Sequence, residues 1–193
     1  MNKKVLIVLG HPNKESFCGA LAASYREGAA AAGAEVRELN IGDLRFEPIL
    51  RLGYKEIQEL EPDLVAAQES IKWADHIVWV YPIWWGTMPA LLKGFLDRTF
   101  LPGFAFKYRE NSPWWDKYLA GRSARMIVTM DAPPIYDSLM YFGGGRRTMK
   151  KAVLEFCGIK RVKVSAVGSV KSSDEAKREK WLAAVDQLGK QLK

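Results

Sequence analysis

Residues 4–18 read Lys-Val-Leu-Ile-Val-Leu-Gly-His-Pro-Asn-Lys-Glu-Ser-Phe-Cys, and this stretch decides the fold. Lys4–Leu9 is an unbroken apolar run after its lysine, the pattern of a strand covered on both faces. From Phe17 onward the apolar positions Phe17, Leu21, Tyr25, Ala29 and Ala32 recur at helical spacing, and Gly33 supplies the stop. A buried strand thus runs through a short polar loop into an amphipathic helix.

The same alternation continues along the chain. Glu35–Asn40 mixes polar and apolar residues and reads as a more exposed strand, and residues 41–61 read as irregular. Asp63–Trp73 is helical, with an acid in its first turn. His76–Pro82 is a second strongly apolar strand. Pro89, a favoured first-turn residue, opens a helix through Leu91, Leu92 and Phe95 to about Phe100. Ala124–Met130 is a third buried strand, and residues 146–157 read as a helix with Met149, Val153 and Phe156 inward. Lys160–Val170 reads as a strand, and Asp174–Leu192 as a closing helix carrying Leu182, Val185, Leu188 and Leu192 on one stripe. Five strands alternating with helices predict an α/β protein with a doubly wound parallel sheet. No GxGxxG follows the first strand and no GK[ST] occurs, which excludes the dinucleotide fingerprint and the P-loop. The flavodoxin-like five-stranded order 2-1-3-4-5 is therefore expected.

The 193 residues suit a single domain, 1–193, at ~150 residues per domain. A hydrophobic share of 48% with 26% charged residues excludes a disordered or fibrous chain. Two cysteines make no disulfide framework, and two histidines are too few for a His-based zinc site, so no metal is expected. The apolar run Val5–Leu9 is too short for a signal peptide, and nothing approaches the ~20 residues of a membrane span. The expectation is a cytoplasmic protein with no membrane insertion. A formal charge of +7 favours anionic partners. The basic residues are scattered, however, so phosphorylated cofactors suit the charge and no nucleic-acid partner is expected.

In an open parallel sheet, ligands sit at the carboxyl ends of the strands where the strand order reverses. Three loops matter there. The first, Gly10–Cys18, runs into a helix start at Ser16, whose hydroxyl and neighbouring N–H groups suit a phosphate. Taken alone, Ser16 reads as an N-cap and Cys18 as small packing. The second, Tyr81-Pro-Ile-Trp-Trp-Gly-Thr-Met-Pro89, places two tryptophans where turns normally carry small polar residues. A flat apolar cofactor explains them better than a packed interface does. The third, Thr129–Tyr136, closes over the same site, with Tyr136 offering a phenol.

Together these loops resemble the NAD(P)H:quinone oxidoreductase family, which includes the drug-modulator and general-stress oxidoreductases. The most specific match is Tyr81–Phe100, with its aromatic-Pro-hydrophobic-x-Trp and Pro-Ala-x-Leu-Lys-Gly pieces. His11-Pro-x-x-x-Ser16-Phe17 and Phe156-Cys157-Gly158 are further matches. The resemblance implies that His11, Ser16, Phe17 and Cys18 contact the diphosphate and ribityl part of a flavin. It implies that Pro82, Ile83, Trp84 and Trp85 line the isoalloxazine, with the amides of Gly86 and Thr87 near its reactive edge. Thr129, Met130, Asp131 and Ala132 would form the third flavin loop, Lys177 would lie near the adenine, and Tyr136 would be catalytic. The chain departs from the family at Thr129–Pro134, where other members carry Thr-Thr-Gly-Gly, and in lacking a histidine after Tyr136.

The implied activity is hydride transfer from NADH or NADPH through a flavin to a quinone or similar small electron acceptor, by a ping-pong cycle. FAD is expected, with FMN as the alternative, because Leu101–Tyr108 resembles a segment of FAD-binding members. A homodimer is expected, with the aromatic stretch Phe104–Tyr118 as its surface. The other reading weighed is a flavin-bound regulatory subunit of a glutathione-gated potassium efflux system.

Overall fold

In the computed structural model, which describes residues 2–192, the strands are β1 (Lys4–Leu9), β2 (Glu35–Asn40), β3 (His76–Pro82), β4 (Phe106–Tyr108), β5 (Trp115–Lys117), β6 (Ser123–Thr129) and β7 (Arg161–Val167). The helices are α1 (Phe17–Ala31), α2 (Pro62–Trp73), α3 (Ala90–Thr99), α4 (Pro134–Met140), α5 (Gly144–Arg147) and α6 (Glu175–Lys190). Five strands form one parallel sheet in the order β2-β1-β3-β6-β7, which is the expected 2-1-3-4-5.

Strand side chains alternate between two cores because successive Cβ atoms point to opposite faces. Val5, Ile7, Val78, Val80 and Ile127 face Leu21, Tyr25 and Val185 of α1 and α6. Leu6, Val8, Ile77, Trp79 and Met126 face Leu64, Ile71, Leu92 and Phe95 of α2 and α3. Both faces are therefore covered, which is why β1 after Lys4 and β3 after His76 are apolar. Helices α1 and α6 touch backbone to backbone. A Cβ on Gly28 would lie 2.1 Å from the Asp186 carbonyl oxygen, and one on Gly189 would lie 2.3 Å from that of Tyr25. Only glycine permits that approach.

The irregular segment before α2 is pinned from inside. The buried Arg98 guanidinium donates to the Glu47 and Glu59 carbonyls and pairs with Glu61 at 2.9 Å.

The structure departs from the sequence reading in five places. The expected helix over 146–157 is a short α5 running into a π-helical stretch, Thr148–Glu155. The last strand ends at Val167, and Ala32 is exposed because α1 stops before it. Helix α4 rises from the third loop, with Pro134 as its first residue. The aromatic stretch forms a β4–β5 ribbon, whose Trp115 indole stacks on Phe156 at 4.6 Å and donates Nε1–H to the Phe156 carbonyl at 2.9 Å. That anchor lies 41 residues away, beyond the reach of local periodicity.

Candidate flavin site

Beyond the carboxyl ends of β1, β3 and β6 lies a cleft of about 180 Å³. It is lined by His11, Ser16, Phe17, Cys18, Pro82, Ile83, Trp84, Thr129, Met130, Asp131 and Val170. The switch point lies where β1 and β3 pair side by side while their crossovers leave to opposite faces.

The first loop supplies donors. Ser16 caps α1, its hydroxyl accepting from the Gly19 N–H at 3.3 Å. The capping role read from the sequence is thus real. It leaves the N–H groups of Phe17 and Cys18 with no protein partner among the described residues, both on residues that line the cleft. His11 Nδ1 lies 2.9 Å from both the N–H and the carbonyl oxygen of Asn13, so either tautomer finds a partner there, and Nε2 is left toward the cleft side of the loop without one among the described residues. The helix start adds a partial positive charge, so the loop is a ready anion cradle.

The second loop supplies the wall. Trp84 and Thr87 exchange two backbone hydrogen bonds, 2.8 and 3.0 Å, closing a tight turn. Trp85 (φ +50°) and Gly86 (φ +77°) occupy its centre, the mirror-image turn that favours Asn-Gly. The Trp84 indole meets the His11 ring edge-on at 5.4 Å, joining wall to cradle. Ile83 N–H donates to the Thr129 carbonyl at 2.7 Å, which ties the second loop to the third. At the cleft floor Cys18 Sγ and Thr129 Oγ1 are 3.2 Å apart. Burial pushes the Cys18 thiol up to about 11, against a smaller opposing effect of the Thr129 hydrogen bond.

The structure brings together ten of the residues expected from the sequence: His11, Ser16, Phe17, Cys18, Pro82, Ile83, Trp84, Thr129, Met130 and Asp131. Trp85, Gly86 and Thr87 instead line a neighbouring hollow of about 510 Å³ with Tyr141, Gly144, Gly145 and Thr148. The positive φ of Trp85 turns its indole away from Trp84 and out into solvent. Ala132 follows Asp131 but does not line the cleft.

Lys177 lies above the Trp181 ring at 5.2 Å, and Trp181 in turn packs on Phe17 at 5.9 Å, so Lys177 stands two side chains from the cleft. Tyr136 sits on α4, edge-on to Tyr141 at 5.8 Å and outside the cleft. Its hydrogen bond to Tyr141 holds the latter's phenol above the usual tyrosine range. The segment Leu101–Tyr108 folds onto its own domain, Phe104 against Phe100, and does not reach the cleft.

Sequence reasoning missed Val170 and Arg178, whose guanidinium lies over Phe17 at 5.6 Å. Arg178 stands one helical residue after Lys177, so the basic run was visible but not which of its exposed members lies over Phe17.

The donor set and wall fit a flavin: unpaired helix-start amides suit a phosphate, and Pro82, Ile83, Trp84 and Met130 suit a flat ring. A sheet in this order with such loops at its switch point defines a flavodoxin-like α/β protein. The chain belongs to the flavodoxin-like fold family, whose model matches residues 3–192.

It is 27% identical over 196 residues to rat NAD(P)H dehydrogenase [quinone] 1, covering 87% of this chain and 69% of that protein. It is 31% identical over 153 residues to a ribosyldihydronicotinamide dehydrogenase-like protein of Penicillium crustosum, covering 66% of this chain. The chain spans only 57% of that fungal relative's length. Among solved structures, Smu.1420 from Streptococcus mutans superposes with a TM-score of 0.81 at 30% identity, covering 97% of this chain and 99% of that one. A protein of Haemophilus influenzae, 28% identical over 183 residues and covering 90% of this chain and 88% of that protein, is named as an NAD(P)H oxidoreductase.

Proposed function

We propose that the chain is a flavin-dependent NAD(P)H oxidoreductase whose electron acceptor is a quinone or another small electron-poor aromatic. One observation carries this reading. The unpaired Phe17 and Cys18 amides and the apolar Pro82–Trp84 wall meet in one cleft at the point where strand order reverses. The names of the relatives agree with it.

Phe17 and Cys18 N–H, with the His11 ring, would hold the cofactor's phosphate end, and Pro82, Ile83, Trp84 and Met130 would flank its ring. The N–H groups of Trp85 and Gly86 have no protein partner among the described residues. From the rim shared with the neighbouring hollow they would hold negative charge at the ring's polar edge. The flavin, when bound, supplies hydride acceptance from NAD(P)H and its return to the acceptor in alternating half-reactions. Tyr136, backed by Tyr141, would supply the acceptor with a proton from α4.

FAD is preferred over FMN. Arg178 and Lys177 extend positive charge from the helix start along Phe17 and Trp181, where a second phosphate would need it. The proposed assembly is a cytoplasmic homodimer. Among the described residues no helix is long and apolar enough to cross a membrane. Tyr108 and Trp114 of the ribbon, and Ile135, Leu139 and Phe142 around α4, are all more than 60% exposed, an apolar surface suited to a second copy.

The absorbance spectrum of the purified protein, with reconstitution by FAD or FMN and NAD(P)H oxidation in the presence of menadione, tests the reading. A yellow protein that turns over menadione is the expected result. A colourless chain that takes up neither flavin overturns it.

A further inference from the structure

At the opposite end of the sheet a second cleft, of about 250 Å³, opens between the amino ends of β1, β3, β6 and β7. It is lined by Lys3, Asp75, His76, Gly121, Ser123, Ala124, Arg161, Lys163 and Leu192. Strands of six or seven residues at ~3.3 Å each set it roughly 20 Å from the flavin cleft. Three cations against one carboxylate give it a positive field. None of the three has an ion-pair partner among the described residues. Asp75 is itself engaged, accepting from the Lys4 N–H at 3.0 Å. Lys3 Nζ donates to the Leu192 carbonyl at 2.8 Å, which holds the ammonium at the cleft.

One buried polar pair adds a directed donor. His76 Nδ1 and Ser123 Oγ are 2.8 Å apart, and His76 Nε2 is buried without a hydrogen-bond partner. If Nε2 carried the proton, a buried N–H donor would be orphaned. A bare ring nitrogen is the less costly orphan. The proton therefore belongs on Nδ1, donating to Ser123 Oγ, which leaves the serine hydroxyl proton to be given to a neighbour in the cleft.

We propose that this cleft binds a small oxyanion of the phosphate class, held by Lys3, Arg161 and Lys163 and hydrogen-bonded by Ser123. A cleft of one sign concentrates counter-ions. The arrangement also accounts for Lys3, whose ammonium is pushed down by burial and then by Arg161, with Asp75 opposing and Lys163 adding a smaller push, a repulsion that a bound anion would relieve. The proposal is independent of the flavin reading.

Isothermal titration of inorganic phosphate into the flavin-saturated protein, with ionic strength held constant by sodium chloride, tests it. Should no flavin bind, the same titration is run on the chain alone. One site of millimolar affinity is expected, weakened at least tenfold in the Arg161→Gln/Lys163→Gln double variant. Both side chains are exposed, so that variant keeps its fold. Ser123→Ala should weaken the site several-fold without removing the field. ADP in place of phosphate distinguishes the source: tighter binding means the phosphate end of a nucleotide, equal binding the free ion. No heat beyond the chloride control, or undiminished binding in the double variant, overturns the proposal.

Discussion

Cys18 and Thr129 meet at 3.2 Å although 111 residues separate them, joining the helix start of the first loop to the strand end of the third. The contact makes the cleft floor continuous from α1 to β6. It also hides the thiol, which burial pushes up to about 11, while Cys157 is pushed up to about 12 for the same reason. At pH 8 only about one Cys18 in a thousand is then a thiolate, and the thiolate is the reactive form. Both cysteines should resist a thiol reagent in the native protein and react fully in guanidinium. Rapid modification of either in the folded state would contradict the packing described. Cys18→Ala should keep the fold and lower flavin affinity only slightly.

His76 predicts an acid sensitivity with a defined window. It is buried at the start of β3, and burial, followed by Lys3, Arg125 and Lys163, pushes its pKa from 6.5 down to about 3. A base depressed in the folded state takes up its proton first in the unfolded chain. Its stabilising effect is therefore complete above pH 6.5 and is lost progressively as pH falls from 6.5 toward 3. At 1.36 kcal/mol per unit, moving from pH 7.5 to pH 5 should cost about 2 kcal/mol. Carboxylates scarcely titrate in that range. Urea unfolding at pH 7.5, 6 and 5 measures the slope, and His76→Gln should abolish most of it.

What the sequence revealed, and what it hid, follows from the range of the forces involved. The sheet order was legible because β1, β3 and β6 are apolar on both faces, and a strand so covered belongs to a parallel sheet with helices on either side. The cleft was legible because all its residues but Val170 fall in three short segments, each next to a strand end. The ribbon was hidden because Trp115 finds its partner in Phe156, far along the chain. Trp84 and Trp85 look equivalent in sequence. Only the backbone, left-handed at Trp85, sends one indole into the cleft and the other out of it. Arg178 was hidden among solvated lysines because helix phase at α6, set by Trp181 packing on Phe17, decides which exposed cation lies over the Phe17 ring.

Arg146, with Arg147, follows Gly143–Gly145, and the sequence favours a helix start facing solvent over a reader of the 2′-phosphate of NADPH. The structure engages Arg146 elsewhere. Its Nε and Nη2 donate to Asp137 Oδ2 at 2.9 and 2.6 Å, and Asp137 is buried. Such a pair ties α4 to α5 and leaves little donor capacity for a ligand. Arg146→Ala should leave the NADPH-to-NADH ratio of kcat/KM within about twofold of the parent. Its effect should fall on stability, by roughly 3 kcal/mol, because a buried carboxylate loses its partner. A ratio shifted tenfold, with stability unchanged, would return Arg146 to phosphate recognition.

Trp85 separates stability from function most sharply. A bulky residue at φ +50° is strained by ~1 kcal/mol or more, and nothing covers its side chain in return. The position asks for asparagine or glycine, and the following Gly86 already completes the favoured pair. Trp85→Asn should therefore raise the unfolding free energy by about 1 kcal/mol, since the hydrogen bonds between Trp84 and Thr87 survive the change. Trp85 also borders the hollow shared with Tyr141 and Thr148, and under the proposed function its exposed indole is a surface on which a planar acceptor would stack. An exposed stacking contact of ~1–1.5 kcal/mol corresponds to roughly tenfold in kcat/KM for the acceptor. Flavin affinity should change little, because Trp84 and not Trp85 lines the cleft. Thermal unfolding, flavin titration and menadione kinetics on this one variant give three readouts with opposed expectations: up, level and down. A variant that loses flavin together with acceptor turnover would move Trp85 back into the cofactor wall, and one that loses stability would remove the strain from the account.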